Sequence, residues 1–152
     1  MALANMTQEE TNNYNREHCK RIANDLEAYA NGLVYRCPEC GECFENESGS
    51  YDDETGIYHL PCGCETTDEP EQQTLYDYFS DCLDIEYRVS GRNADDLRSV
   101  RIMVACGGPN IYIDTATKNV ELYWWGDRAS YPIAYDVIDE IDAWAQELWG
   151  CL

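Results

Sequence analysis

The hydrophobic positions of the chain change period as it runs. Tyr14, Cys19, Ile22, Leu26, Tyr29 and Leu33 recur at helical spacing, which predicts an amphipathic first helix. Thr7, followed three residues later by Glu10, supplies a capping box at its start, and Asn31-Gly32 supplies the stop. From Leu33 the helical period is lost. Val34-Tyr35-Arg36 reads as a short lead-in strand. Glu42–Glu45 and Gly56–Leu60 read as the two arms of one hairpin, with Asn46–Thr55 as its polar tip. Residues 65–82 form an acidic linker, interrupted by Pro70, that opens into a short helix ending near Asp81.

Beyond the linker, apolar and polar positions alternate. Leu83, Ile85, Tyr87 and Val89 show the pattern first, then Val100, Ile102 and Val104, then Ile111 and Ile113, then Val120, Leu122 and Trp124. Turns are expected at Ser90–Asp96, at Cys106–Asn110 and at Lys118-Asn119. Helical spacing returns at the end. Val137, Ile141, Trp144, Ala145 and Leu148 share one face, and Asp136, Asp139, Glu140, Asp142 and Glu147 the other. The elements predict an α+β fold, an antiparallel β-meander sheet packed by N- and C-terminal helices. Residues 1–36 and 83–152 make one compact domain, with an insert at 37–64 and the linker at 65–82. A chain of 152 residues is long enough for one domain with a real core.

Charge changes this picture. The chain has a formal charge of −20, yet 44% hydrophobic residues and 12% aromatics argue for a packed protein. Between Arg36 and Arg88 there is no lysine or arginine, while fifteen of the thirty acids lie there. Residues 37–87 thus carry −15, against −1 for residues 1–36 and −4 for residues 88–152. Adaptation to a saline cytoplasm would spread acids over the whole surface, and it gives no reason for this block. A one-signed surface selects partners of opposite sign. It disfavours direct contact with nucleic acid or an anionic membrane, and favours basic proteins. MALANMTQEE has neither the basic nor the apolar region of a signal peptide, and no apolar run approaches the roughly 20 residues of a membrane span. A cytoplasmic, reducing setting is expected.

In that setting nine cysteines, an odd number, read as metal ligands plus core thiols. Cys19, Cys82, Cys106 and Cys151 fit the role of small buried hydrophobes. The others cluster in the insert. Cys37-Pro38-Glu39-Cys40-Gly41 resembles the knuckle of zinc ribbons and rubredoxins, and Cys62-Gly63-Cys64 returns a second pair after 21 intervening residues. Four thiolates, Cys37, Cys40, Cys62 and Cys64, suit a closed tetrahedral structural Zn2+ site. The second pair departs from the family pattern, with one intervening residue instead of two. This leaves Cys43 or His59 as possible substitutes for one of its ligands. Iron would call for a second full knuckle. A thioredoxin-like redox pair would open a helix, whereas Gly-Glu-Cys-Phe-Glu reads as strand.

Catalysis is not expected. His18 and His59 are the two histidines, and no nucleophile elbow, phosphate loop or open metal position is visible. Asp52-Asp53 and Asp95-Asp96 fall in turn-like sequence, where solvated carboxylates are ordinary. Instead, Glu42, Glu45, Glu47, Asp52, Asp53, Glu54, Glu65, Asp68, Glu69 and Glu71 form a candidate partner-binding array, with Tyr51, Tyr58, Tyr76, Tyr78 and Tyr87 among the acids. In size, acidity and lack of catalytic motifs, the chain resembles the small anti-defence proteins of phages and mobile elements. With its zinc knuckle, it resembles acidic, metal-containing anti-CRISPR proteins in particular. The resemblance implies a non-catalytic inhibitor that mimics DNA charge, binds a basic nucleic-acid-handling host protein, an RNA-guided CRISPR nuclease of type II, and blocks DNA loading or cleavage. The alternative is a zinc-ribbon adaptor docking onto a transcription or regulatory complex.

Overall fold

Thr7 and Glu10 cap helix α1 (Gln8–Ala30) reciprocally. The Thr7 amide donates to Glu10 Oε2 at 2.8 Å, and the Glu10 amide to Thr7 Oγ1 at 3.2 Å, which satisfies two orphan donors at the helix start. At the other end Leu33 N–H bonds Ala28 O, and Gly32 N–H bonds Tyr29 O, a Schellman pattern at the stop that Asn31-Gly32 predicts. The buried stripe of α1 is Asn15, Cys19, Ala23 and Leu26, rotated from the predicted face. Tyr14 is exposed, and Leu33 is exposed beyond the helix end.

A computed structural model describes residues 5–45 and 49–152, and the chain divides into two units. The first comprises Met1–Glu27 and Phe79–Leu152, and the second Ala28–Tyr78, a longer segment than the insert drawn at 37–64. The fold is α+β, with helices toward both termini, antiparallel sheets and the cysteine-bearing segment between them.

In the first unit, β7 (Asp84–Val89), β8 (Leu97–Ala105), β9 (Asn110–Asp114), β10 (Asn119–Trp124) and β11 (Asp127–Pro132) pair in sequence order as a five-stranded antiparallel meander. Strand β11 was not expected. Its apolar positions are only Ala129 and Tyr131, too weak an alternation to announce a strand, and it forms by pairing its full length with β10. Register places Ile102 opposite Ile113, and Ile113 opposite Val120, so branched side chains align across three strands on one face. These residues are buried, and helix α3 (Tyr135–Gly150) packs against β8, burying Val137, Ile138, Ile141, Trp144 and Ala145. Helix α1 meets the edge of the sheet, where the Arg16 guanidinium lies 5.3 Å from the centre of the Tyr131 ring.

The opposite side of the sheet is polar and centres on Asp114, which is buried. Arg88 binds its two oxygens in a fork at 3.0 and 2.9 Å, and the Ala116 amide adds a bond at 2.9 Å. Burial alone would raise the Asp114 pKa. The Arg88 fork and the amides outweigh it and hold the carboxyl below its ordinary range.

The second unit holds two small three-stranded sheets. In one, β1 (Val34–Arg36) lies between β2 (Cys43–Glu45) and β6 (Glu71–Gln72). In the other, β4 (Ile57–His59) lies between β3 (Ser50–Asp52) and β5 (Glu65–Thr66). The two predicted hairpin arms therefore belong to different sheets: β2 folds back on β1, and β4 pairs with β3, a strand inside the expected polar tip. The linker likewise contains β5 and β6, and its helix α2 is a single turn, Leu75–Tyr78. No helix among the described residues is long and apolar enough to cross a membrane.

Candidate metal centre

Each cysteine pair occupies the turn between two strands of the second unit. Between β1 and β2, the Cys37 amide bonds Glu42 O at 2.8 Å and the Gly41 amide bonds Cys37 O at 2.9 Å, while the Cys40 amide approaches Cys37 Sγ at 3.5 Å. Between β4 and β5, the Leu60 amide bonds Cys64 O at 3.0 Å and the Gly63 amide bonds Leu60 O at 2.9 Å. Gly41 and Gly63 have φ of 78° and 89°, so both turns use a conformation that favours glycine. At Gly41 a side chain would also press on the Arg36 guanidinium. Thr66 links the two turns, its hydroxyl donating to Glu39 Oε1 at 3.2 Å.

The sulfurs of Cys37, Cys40, Cys62 and Cys64 lie within 4.8 Å of one another. A tetrahedron with metal–sulfur bonds of about 2.3 Å has edges of about 3.8 Å, so the set can close on one ion with a small inward movement. As thiols, Cys37, Cys40 and Cys64 hold protons unevenly. The Cys40 amide chiefly pulls the Cys37 thiol down to about 7. Hydrogen bonds with Cys62 and Cys40, with burial, push Cys64 up to about 12. The main chain of Glu42 lowers the Cys40 thiol, but burial and the bonds to Cys37 and Cys62 leave it raised. A divalent cation would replace those protons and stabilise the thiolates together.

The donor set and the surrounding core both fit a metal. Among the described residues, the buried apolar side chains of the second unit are Val34, Cys37, Leu60 and Leu75, and one of these is a candidate ligand. So small a core leaves the folding of 51 residues to some other constraint. Cys43 and His59 lie outside the group of four: Cys43 is exposed on β2, and His59 on β4 places Nδ1 3.2 Å from Glu65 Oε1. The Cys37–Cys40 turn joins two strands and opens no helix, unlike a thioredoxin-type redox pair. Of the cysteines expected in the core, Cys19 is buried and its thiol pushed up to about 11 by desolvation. Cys82 is half-buried, whereas Cys106 and Cys151 are exposed.

The acids of the candidate array are spread over the strands and turns of the second unit. Glu42, Glu45, Asp53, Glu54, Glu65, Asp68, Glu69 and Glu71 are exposed, and Asp52 is half-buried. Glu47 lies outside the described residues. Asp52 shapes the β3–β4 turn, its Oδ1 accepting the Glu54 amide at 2.9 Å, and that bond, with those from Thr55, lowers its pKa. Tyr51 and Tyr76 are exposed, Tyr58 half-buried, and Tyr78 packs its edge on Tyr29. Tyr87 belongs to the first unit, against Trp149. Sequence reasoning missed Thr66, Glu39 and the ring pair Tyr35–Phe44, whose strand register alone brings them into play. No family model, no curated protein and no solved structure shows significant similarity to this chain.

Proposed function

We propose that the four sulfurs hold a structural Zn2+ and that the chain acts in the cytoplasm as a non-catalytic inhibitor. Its target would be a basic nucleic-acid-handling protein, and an RNA-guided CRISPR nuclease of type II is the first candidate. The observation that carries this reading is the charge of the second unit. It has twelve acids against the single base Arg36, a formal −11 within 51 residues. Four thiolates and a divalent ion would deepen that to −13. An all-sulfur tetrahedral set suits either zinc or iron, and zinc is the reading preferred because the Cys62-Gly63-Cys64 turn is not the second full knuckle that iron would call for. Duplex DNA presents one charge per about 1.7 Å of axis, and a rigid acidic unit of this density can occupy arginines and lysines arranged for phosphates.

Cleavage assays with purified RNA-guided nucleases and the zinc-loaded chain test the reading. Stoichiometric inhibition that weakens as salt rises is the expected result. Replacing Glu45, Asp52, Asp53 and Glu54 together by lysine should abolish it. A stable complex that leaves cleavage unchanged would identify the adaptor instead. Absence of any complex at low salt across nucleases of different types would end the inhibitor proposal.

A further inference from the structure

Two aromatic pairs of the second unit come from different sheets. Tyr35 and Phe44 are opposite one another on β1 and β2, with ring centroids 6.4 Å apart and 26° between planes. Tyr51 and Tyr58 are opposite on β3 and β4, at 4.5 Å and 41°. All four rings line one cavity of about 210 Å3, together with Leu60 and the carboxylate-bearing Glu69. Among the described residues lining it, Glu69 is the one charged group, and no base is present. Leu60 is buried, whereas Tyr51 is 52% exposed, so the aromatic wall of the cavity is accessible.

We infer that this slot is a receptor for the guanidinium of an arginine side chain presented by the basic partner. Aromatic faces carry the negative part of the ring quadrupole and attract cations, most strongly when water is excluded. Glu69 adds a full negative charge at the wall, and its field on Tyr58 is felt as a raised hydroxyl pKa after the larger effect of burial. Size excludes a drug-like ligand, since such sites run to roughly 300–1,000 Å3. Sign excludes an acidic group, because the surrounding unit is strongly negative. Arginine is preferred to lysine because its planar, weakly hydrated group stacks on rings, while the ammonium holds its water tightly.

The inference rests on the proposed function for the source of the arginine, and its test needs no nuclease. Aromatic NMR spectra of the zinc-loaded chain are followed during titration with acetyl-Gly-Arg-Gly-amide, its lysine analogue and its citrulline analogue, which keeps the shape without the charge. The arginine peptide should give saturable shifts at Tyr35, Phe44, Tyr51 and Tyr58, with citrulline binding about fivefold or more weaker. Tyr51→Leu, at an exposed position, and Glu69→Gln should each weaken arginine binding about fivefold, with the spectrum of the first unit unchanged. Equal binding of citrulline, equal or tighter binding of lysine, or shifts confined to residues outside the slot would overturn the assignment. Peptide binding without inhibition of any nuclease would remove the proposed function and leave the slot standing. Inhibition without peptide shifts would do the reverse.

Discussion

The two units hold negative charge in different ways. Among the described residues, the first buries sixteen apolar side chains, mainly one sheet face against α3 and the inner stripe of α1, and it owns nine of the ten bases. Its most buried acid, Asp114, is answered by Arg88. The second unit is half as long, buries four apolar side chains among its described residues and has one base for twelve acids. Repulsion among those acids works against compaction, and little hydrophobic burial opposes it. Where a core is missing, convergent sulfurs stand in its place. Apolar area stabilises one body, and ligand bonds are available to stabilise the other.

Removal of the proposed zinc should break this comparison most sharply. Structural zinc in small domains contributes about 10–16 kcal/mol of apparent binding energy, well above what three apolar side chains and a ligand supply. Adding a strong chelator, or making Cys37→Ser, is expected to collapse the amide signals of residues 28–78 while those of the meander persist. Amide-resolved NMR reads both units in one sample. Simultaneous loss of both, or no change in either, would show that the units do not differ in what holds them.

Asp114 offers the next largest effect, in the other unit. Asp114→Ala leaves Arg88 and Arg101 without the carboxylate between them, and should destabilise the first unit by about 2–3 kcal/mol, less than for a fully buried pair because both arginines reach solvent. The pH dependence follows. Asp114 is held below its ordinary value of 3.8, so its contribution is complete above that pH and is lost as pH falls through the folded-state value. Asp142, raised mainly by burial, acts with the opposite sign, its contribution being lost as pH rises. Comparing Asp114→Asn with the parent chain cancels the Asp142 effect. The difference in denaturant midpoints should be constant above about pH 5 and shrink below pH 3.8. A difference that does not change with pH would mean the Arg88 fork contributes no charge-dependent stability.

Features written locally in the chain were legible before the structure. The capping box at Thr7 and Glu10, the Schellman stop at Gly32 and the first knuckle each depend on residues within a few positions of one another. The meander was legible because its strands alternate strongly. Pairing was less so. Cys43–Glu45 and Ile57–His59 both looked like strands, and nothing in their composition says which neighbour each takes. Closing the short knuckle loop onto β1 costs less entropy than spanning residues 46–56. Strand β3 carries one apolar residue, Tyr51, and so gave no period to read. The helix face was misjudged because Asn15 is buried and small Ala23 lies inside, whereas a reading by apolar type favours Tyr14. The four sulfurs were named from spacing, but the aromatic slot depends on two registers that spacing does not reveal.

The smallest effect expected belongs to the tip of the β10–β11 hairpin. Trp124 pairs with Asp127, leaving Trp125-Gly126 as a two-residue loop with φ of 48° and 82°. Positive φ at both positions marks a type I′ turn, for which Asn-Gly is the favoured pair. Tryptophan in that conformation costs about 1–2 kcal/mol. Burial returns little of it, because Trp125 is 87% exposed and its ring meets Trp124 edge-on at 6.1 Å. Trp125→Asn should therefore stabilise the first unit by about 0.5–1 kcal/mol, the backbone relief exceeding the lost ring contact. Chemical denaturation of the first unit measures it, with the signals of residues 28–78 as an internal control. A gain confined to the first unit would place its remaining strain at this turn and leave the sheet face as its source of stability. A loss would show that the Trp124–Trp125 contact outweighs the backbone cost, and that the hairpin tip belongs among the interactions holding the unit together.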